Sequence, residues 1–195
     1  IWLLYPAIYG QAIPSAFCLF KSASTLRYYQ ELPHPHNSEM DFILTYCSND
    51  ELYLIESLAE QLQKGATRSG LSENEIPDLA ISFVQSFPYV SDSISSGYDE
   101  YPRYPVETLL EQKGDCEDTA ILVAVLLRKL GYGTALIVYD DHVAVGVKGD
   151  DSLEGYYFTV NNTRYFYLET TGTGWQVGDM PDQHKGKKAI VLPLN

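Results

Sequence analysis

Apolar and polar positions follow two periods along this chain, and the change from one to the other falls near Gly131. Before it the spacing is helical. Ser48-Asn49-Asp50-Glu51 has the form of a capping box, and Leu52, Ile55, Leu58, Ala59 and Leu62 follow at helical steps, with Gly65 as the expected stop. A second box, Ser72-Glu73-Asn74-Glu75, precedes Ile76, Leu79, Ala80, Phe83, Val84 and Phe87. Pro77 is early enough to be tolerated there, and Pro88 comes just past the end. Residues 105–112 read as a short helix with Pro105 in its first turn. The most apolar run is Ile121 to Leu127. It predicts a helix that starts at Cys116, with Asp115 as cap, Asp118 at the capping-box position and Gly131 as the left-handed stop. A helix apolar on most sides belongs in the middle of a fold.

After Gly131 the alternation is that of strands, expected at 135–139, 142–147, 156–160, 164–169 and 189–192. Asp140-Asp141 joins the first two, and Asn161-Asn162-Thr163 turns the third into the fourth. Val143, Val145 and Val147 share one face. His142, Ala144 and Gly146 share the other, whose small residues suggest room for a closely packed helix. Residues 1–39 are weakly periodic, and Met40–Cys47 reads as a strand. Two loops stand out, around Pro33-His34-Pro35-His36-Asn37 and from Tyr89 to Tyr104. The expected class is α+β. An N-terminal segment, 1–70, with one strand and one helix, packs on a core formed by 71–195.

Composition narrows the function. A chain of 195 residues can bury one good core, and its formal charge of −13 argues against nucleic acid or an anionic membrane as the main partner. Cys18, Cys47 and Cys116 make neither a disulfide scaffold nor metal-ligand spacing. At most Cys18 and Cys47 could pair, leaving Cys116 free. His34 and His36 read as a solvated loop, and no calcium, zinc, phosphate or nucleotide fingerprint occurs, so neither cofactor nor metal is expected. Residues 1–8 are apolar but too short to span a bilayer. They fit the remnant of a signal or anchor as well as an edge segment packed on the core. A membrane anchor outside residues 1–195 is a possible partner, and an extracytoplasmic or membrane-anchored setting is favoured over a cytoplasmic one.

Chemistry enters with Cys116. At a helix start its thiol sees unpaired N–H groups and the positive end of the helix dipole, which favour thiolate, while Glu117 and Asp118 oppose it. A neighbouring imidazolium is therefore needed. His142 opens a strand and Glu169 closes another, and a helix packed on an antiparallel sheet can bring all three together as nucleophile, base and orienting acid. Each has an ordinary reading: an inert buried cysteine, a satisfied strand histidine, a charge that guards a sheet edge. Asp179 and Asp182 are rival orienting acids.

Gly114-Asp115-Cys116-Glu117-Asp118, Asp141-His142-Val143-Ala144-Val145 and Tyr167-Leu168-Glu169-Thr170-Thr171, with Gly174-Trp175 behind, resemble the transglutaminase-like cysteine proteases and amidases. Ser82-Phe83-Val84-Gln85, Tyr89-Val90-Ser91-Asp92 and Tyr101-Pro102-Arg103-Tyr104-Pro105 resemble its prokaryotic branch. The likeness covers roughly residues 83–181. It implies a papain-like core with Cys116 as nucleophile, His142 as base and acid, and Glu169 in a third position that is often aspartate. The implied reaction is acyl transfer on peptide or isopeptide amides through a thioester, with hydrolysis favoured. A protein-glutamine transglutaminase and a non-catalytic binding module on the same fold are the alternatives. A protein or peptide is the expected partner, and Tyr98, Tyr101, Tyr104 and Trp175 are candidate substrate contacts.

Overall fold

A computed structural model describes residues 2–3, 17–18, 23–34, 53–91 and 101–194. Strands β1 (Trp2–Leu3) and β2 (Phe17–Cys18) form a two-residue antiparallel ladder. The described residues hold five α-helices: α1 (Ala23–Gln30), α2 (Tyr53–Arg68), α3 (Ile76–Gln85), α4 (Pro105–Glu111) and α5 (Cys116–Lys129). The strands β3 (Thr134–Val138), β4 (Val143–Gly149), β5 (Tyr157–Val160), β6 (Thr163–Leu168) and β7 (Ile190–Leu194) form one sheet, in the order β5-β6-β4-β3-β7. Every neighbouring pair is antiparallel. The class is α+β, as expected. The expected strand 40–47, the box at 48–51 and most of the 89–104 loop lie outside the described residues.

The core is built around α5, in which residues 118–127 are all buried. They pack with Leu58 and Leu62 of α2, Leu79 and Val84 of α3, Leu109 of α4 and the valine face of β4. The N-terminal helices therefore share one core with the sheet. Ala144 and Gly146 do not admit a helix, contrary to expectation. Their face carries side chains of the sheet itself, and a Cβ on Gly146 would stand 2.9 Å from that of Tyr165 on the neighbouring strand β6. A second, smaller cluster covers this outer face, with Ile137, Tyr139, Ala144, Tyr167 and Met180.

Two helix ends depart from the sequence reading. Helix α2 runs through Gly65 to Arg68 because Gly65 and Ala66 are buried, and the chain turns instead at Gly70, where φ is +72°. The Ser72–Glu75 box is present, but it caps a 3₁₀ turn, Glu73–Glu75, ahead of α3. Helix α1 has no counterpart in the sequence reading. In the β5–β6 hairpin Asn161 and Asn162 both take positive φ, which matches the twist of the paired strands.

Candidate functional site

Cys116 is the first residue of α5 and is half-buried with a free thiol. Asp115 caps the helix by accepting from the Asp118 amide at 3.3 Å, and Asp118 accepts from the Asp115 amide at 3.3 Å. This closure requires glycine at 114, since a Cβ there would lie 2.6 Å from that of Asp118. Asp118 also accepts from the Arg103 amide at 2.8 Å and pairs with its guanidinium, both side chains being buried. Of the two charges expected to oppose a thiolate, that of Asp118 is thus matched by Arg103.

His142 follows the tight Asp140–Asp141 turn, in which the Tyr139 amide donates to the His142 carbonyl at 2.8 Å. Glu169 follows β6, and β4 and β6 are adjacent strands. The imidazole Nε2 meets Glu169 Oε2 at 2.9 Å, and the Cys116 side chain lies beside the same ring, where it favours the protonated imidazole. With Nε2 engaged, Nδ1 is the nitrogen left to face the thiol. Glu169 is held on all sides: Tyr167 Oη donates to Oε2 at 3.1 Å, and the Thr170 amide, Thr171 amide and Thr171 hydroxyl donate to Oε1. Two links fix the turn behind it. Gln85 Nε2 donates to the carbonyls of Glu169 and Trp175, and the Thr119 and Thr170 hydroxyls pair at 2.9 Å, tying the first turn of α5 to the turn after β6.

The electrostatics follow from these contacts. Burial pulls the His142 pKa down, but Cys116 and Glu169 beside it raise it to about 9. For Glu169, burial pushes upward, and the hydrogen bond and charge of His142 together with the Thr171 donors win, holding it at about 2. The pair is an imidazolium and a carboxylate at neutral pH. Tyr167 is pushed well up by burial and by Glu169, so its phenol stays a donor.

Cys116, His142 and Glu169 come together; the candidate substrate contacts do not join them. Tyr101 stacks on His34 and donates to Glu107 Oε1, while Tyr104 is buried and donates to the Pro33 carbonyl. Both are turned to internal partners. Trp175 is half-buried in the loop that Gln85 anchors, and Tyr98 lies outside the described residues. The rival acids are engaged elsewhere, Asp179 by the Gln176 amide and Asp182 by Lys185. Sequence reasoning missed Gln85, Thr119, Thr170 and Arg103 as supports, because each acts across a long stretch of chain. It also missed His184, whose ring stacks on that of His142.

Donor atoms of His142, Glu169 and His184 lie within 4.8 Å of one another. Imidazole nitrogens bind metals in the ring plane, and the two rings here are nearly parallel at 12°, so their lone pairs do not converge on one ion. Glu169 is moreover saturated by protein donors. The cluster fits a hydrogen-bonded triad better than a metal site. Among the described residues no helix is long and apolar enough to cross a membrane. No protein-family model matches the chain, and no curated protein matches it.

Proposed function

We propose that this protein is a cysteine-dependent acyl-transfer enzyme with a transglutaminase-like core, and that it hydrolyses peptide or isopeptide amides. One observation carries the reading: a single imidazole is bonded to a buried carboxylate and has beside it a free thiol at a helix N-terminus. In this scheme the Cys116 thiolate attacks the amide carbonyl, and the Cys116 backbone N–H at the start of α5 stabilises the oxyanion. The His142 imidazolium gives its proton to the leaving amine as the C–N bond breaks, which leaves a thioester and a neutral imidazole. His142 then takes a proton from water, whose oxygen attacks the thioester, and keeps it as the sulfur departs as thiolate, which frees the acid and restores the thiolate and imidazolium. Glu169 holds the ring in plane and balances its charge throughout. An amine in place of that water would make the same site a transglutaminase.

The test is direct. Iodoacetamide should label Cys116 stoichiometrically at neutral pH, and a peptide library should be cleaved, with and without added amine. A Cys116 that is no more reactive than an ordinary thiol of pKa near 8.5 would sink the enzyme reading. Amine incorporation outpacing hydrolysis would turn it to the transferase.

A further inference from the structure

The described residues hold a second buried imidazole beside the first. His184 closes a 3₁₀ turn, Asp182–His184, on the outer face of the sheet and is only 3% exposed. Its ring lies 4.5 Å from that of His142, centre to centre, at 12°. Tyr139 stands on it at 5.0 Å, and Tyr167, the donor to Glu169, at 6.4 Å. The loop is fixed from both ends. Gly178 donates to the Tyr167 carbonyl at 2.7 Å, and Lys187 reaches Asp141, next to His142, at 2.9 Å. Yet the buried Nδ1 of His184 finds no hydrogen-bond partner among the described residues. Its Nε2 meets Gln183 Nε2 at 3.2 Å, so one nitrogen is used and the other is not, whereas a buried histidine retained for its polarity should satisfy both.

We propose that His184 is a positioning residue for His142. Its stacked ring fixes the plane in which the imidazole bridges Glu169 and Cys116, and keeps water off the His142–Glu169 hydrogen bond. Burial and the adjacent His142 lower the pKa of His184, with Lys187 adding to this and Glu169 and Asp141 opposing, so the stacked ring is neutral beside the imidazolium. The inference rests on the proposed function for its consequence in rate, but its geometric half needs no turnover.

The experiment compares His184→Phe, which keeps a flat ring, with His184→Leu, which keeps apolar bulk without one, and His184→Ala. Two quantities are read: solvent exchange of the His142 Nε2 proton by NMR, and the rate at which iodoacetamide labels Cys116. Thermal midpoints show which variants fold, and His184→Leu stands in if His184→Ala does not. His184→Phe should keep both values near wild type. His184→Ala and His184→Leu should label about 10 to 100-fold more slowly, the loss that a misplacement on the order of 1 Å brings, and the exchange should quicken most in His184→Ala. Unchanged exchange and labelling in folded His184→Leu and His184→Ala overturn the proposal. So does a folded His184→Phe as impaired as the alanine variant, since the nitrogens would then matter and the stack would not. If Cys116 proves inert in the wild type while exchange still quickens, the enzyme reading falls and the positioning role stands.

Discussion

Twice among the described residues a histidine Nε2 meets a glutamate Oε2 at 2.9 Å, between His34 and Glu107 and between His142 and Glu169. Both pairs are well covered, with side-chain exposures of 5% and 1% for the first and 11% and 3% for the second. Their surroundings separate them. Glu107 caps α4 through the Tyr104 amide at 2.8 Å, and His34 stacks on Tyr101 at 4.3 Å, so that pair fastens the segment before residue 35 to α4 and the chain that leads into it. Glu169 closes a strand, and its histidine reaches a thiol at the start of a helix. A buried histidine–carboxylate pair is thus a packing device until a nucleophile stands within hydrogen-bond reach. Geometry of the pair alone does not distinguish the two roles.

Removing the proposed nucleophile breaks the comparison most sharply. Cys116→Ala should lower amide hydrolysis by on the order of 10⁴-fold or more, as loss of a nucleophile does in a comparable triad, while the thermal midpoint stays close to wild type. Hydrolysis surviving in that variant would move the nucleophile elsewhere. Glu169→Gln should come next, with a fall of roughly 10 to 10⁴-fold in rate through lost control of the ring tautomer and of its charge. Glu169→Asp should be milder, and Asp179→Asn should leave the rate alone. A full-rate Glu169→Gln beside a crippled Asp179→Asn would reassign the acid.

The first pair should answer differently. Glu107→Gln removes a charged acceptor from buried partners and should cost about 1–3 kcal/mol of stability, read by urea unfolding, with the rate of hydrolysis per folded molecule held. A matching fall in that rate would mean the two pairs are coupled. The pH profile sharpens the contrast further. The His142 pKa is raised from 6.5 to about 9, so its stabilising share is complete below 6.5 and lost as pH rises through 9. The Glu169 pKa is lowered from 4.5 to about 2, so its share is complete above 4.5 and lost as pH falls through 2. Both act fully between pH 4.5 and 6.5, and hydrolysis should decline as the imidazolium is lost near 9. A rate still climbing well above that pH would contradict the imidazolium as the acid. The smallest effect belongs to Cys18→Ser and Cys47→Ser, which should leave hydrolysis intact.

What could be seen in the sequence was local. The start of α5 was legible because cap, box acid and apolar run lie within a few residues of one another, and the β5–β6 hairpin because two asparagines mark its turn. Helix α1 carries too short an apolar pattern to be read, and Gly65 misled because burial, which no window of sequence reports, carried α2 past it. In the site, the thiol, imidazole and carboxylate were named by residue type, by their places at the ends of elements and by the family resemblance of the segments around them. Arg103, Gln85 and His184 were not, since each earns its place through contacts made from a separate element or loop.

The order of the sheet has one more consequence. Among the described residues strand β7 is an edge, paired with β3 alone, and Pro193 lies within it opposite Ala135. A proline offers no N–H to an incoming strand. An extended peptide or a second copy of the chain therefore cannot zip along this side in unbroken register, which guards a tyrosine-rich, strand-rich protein against fibre growth through that border.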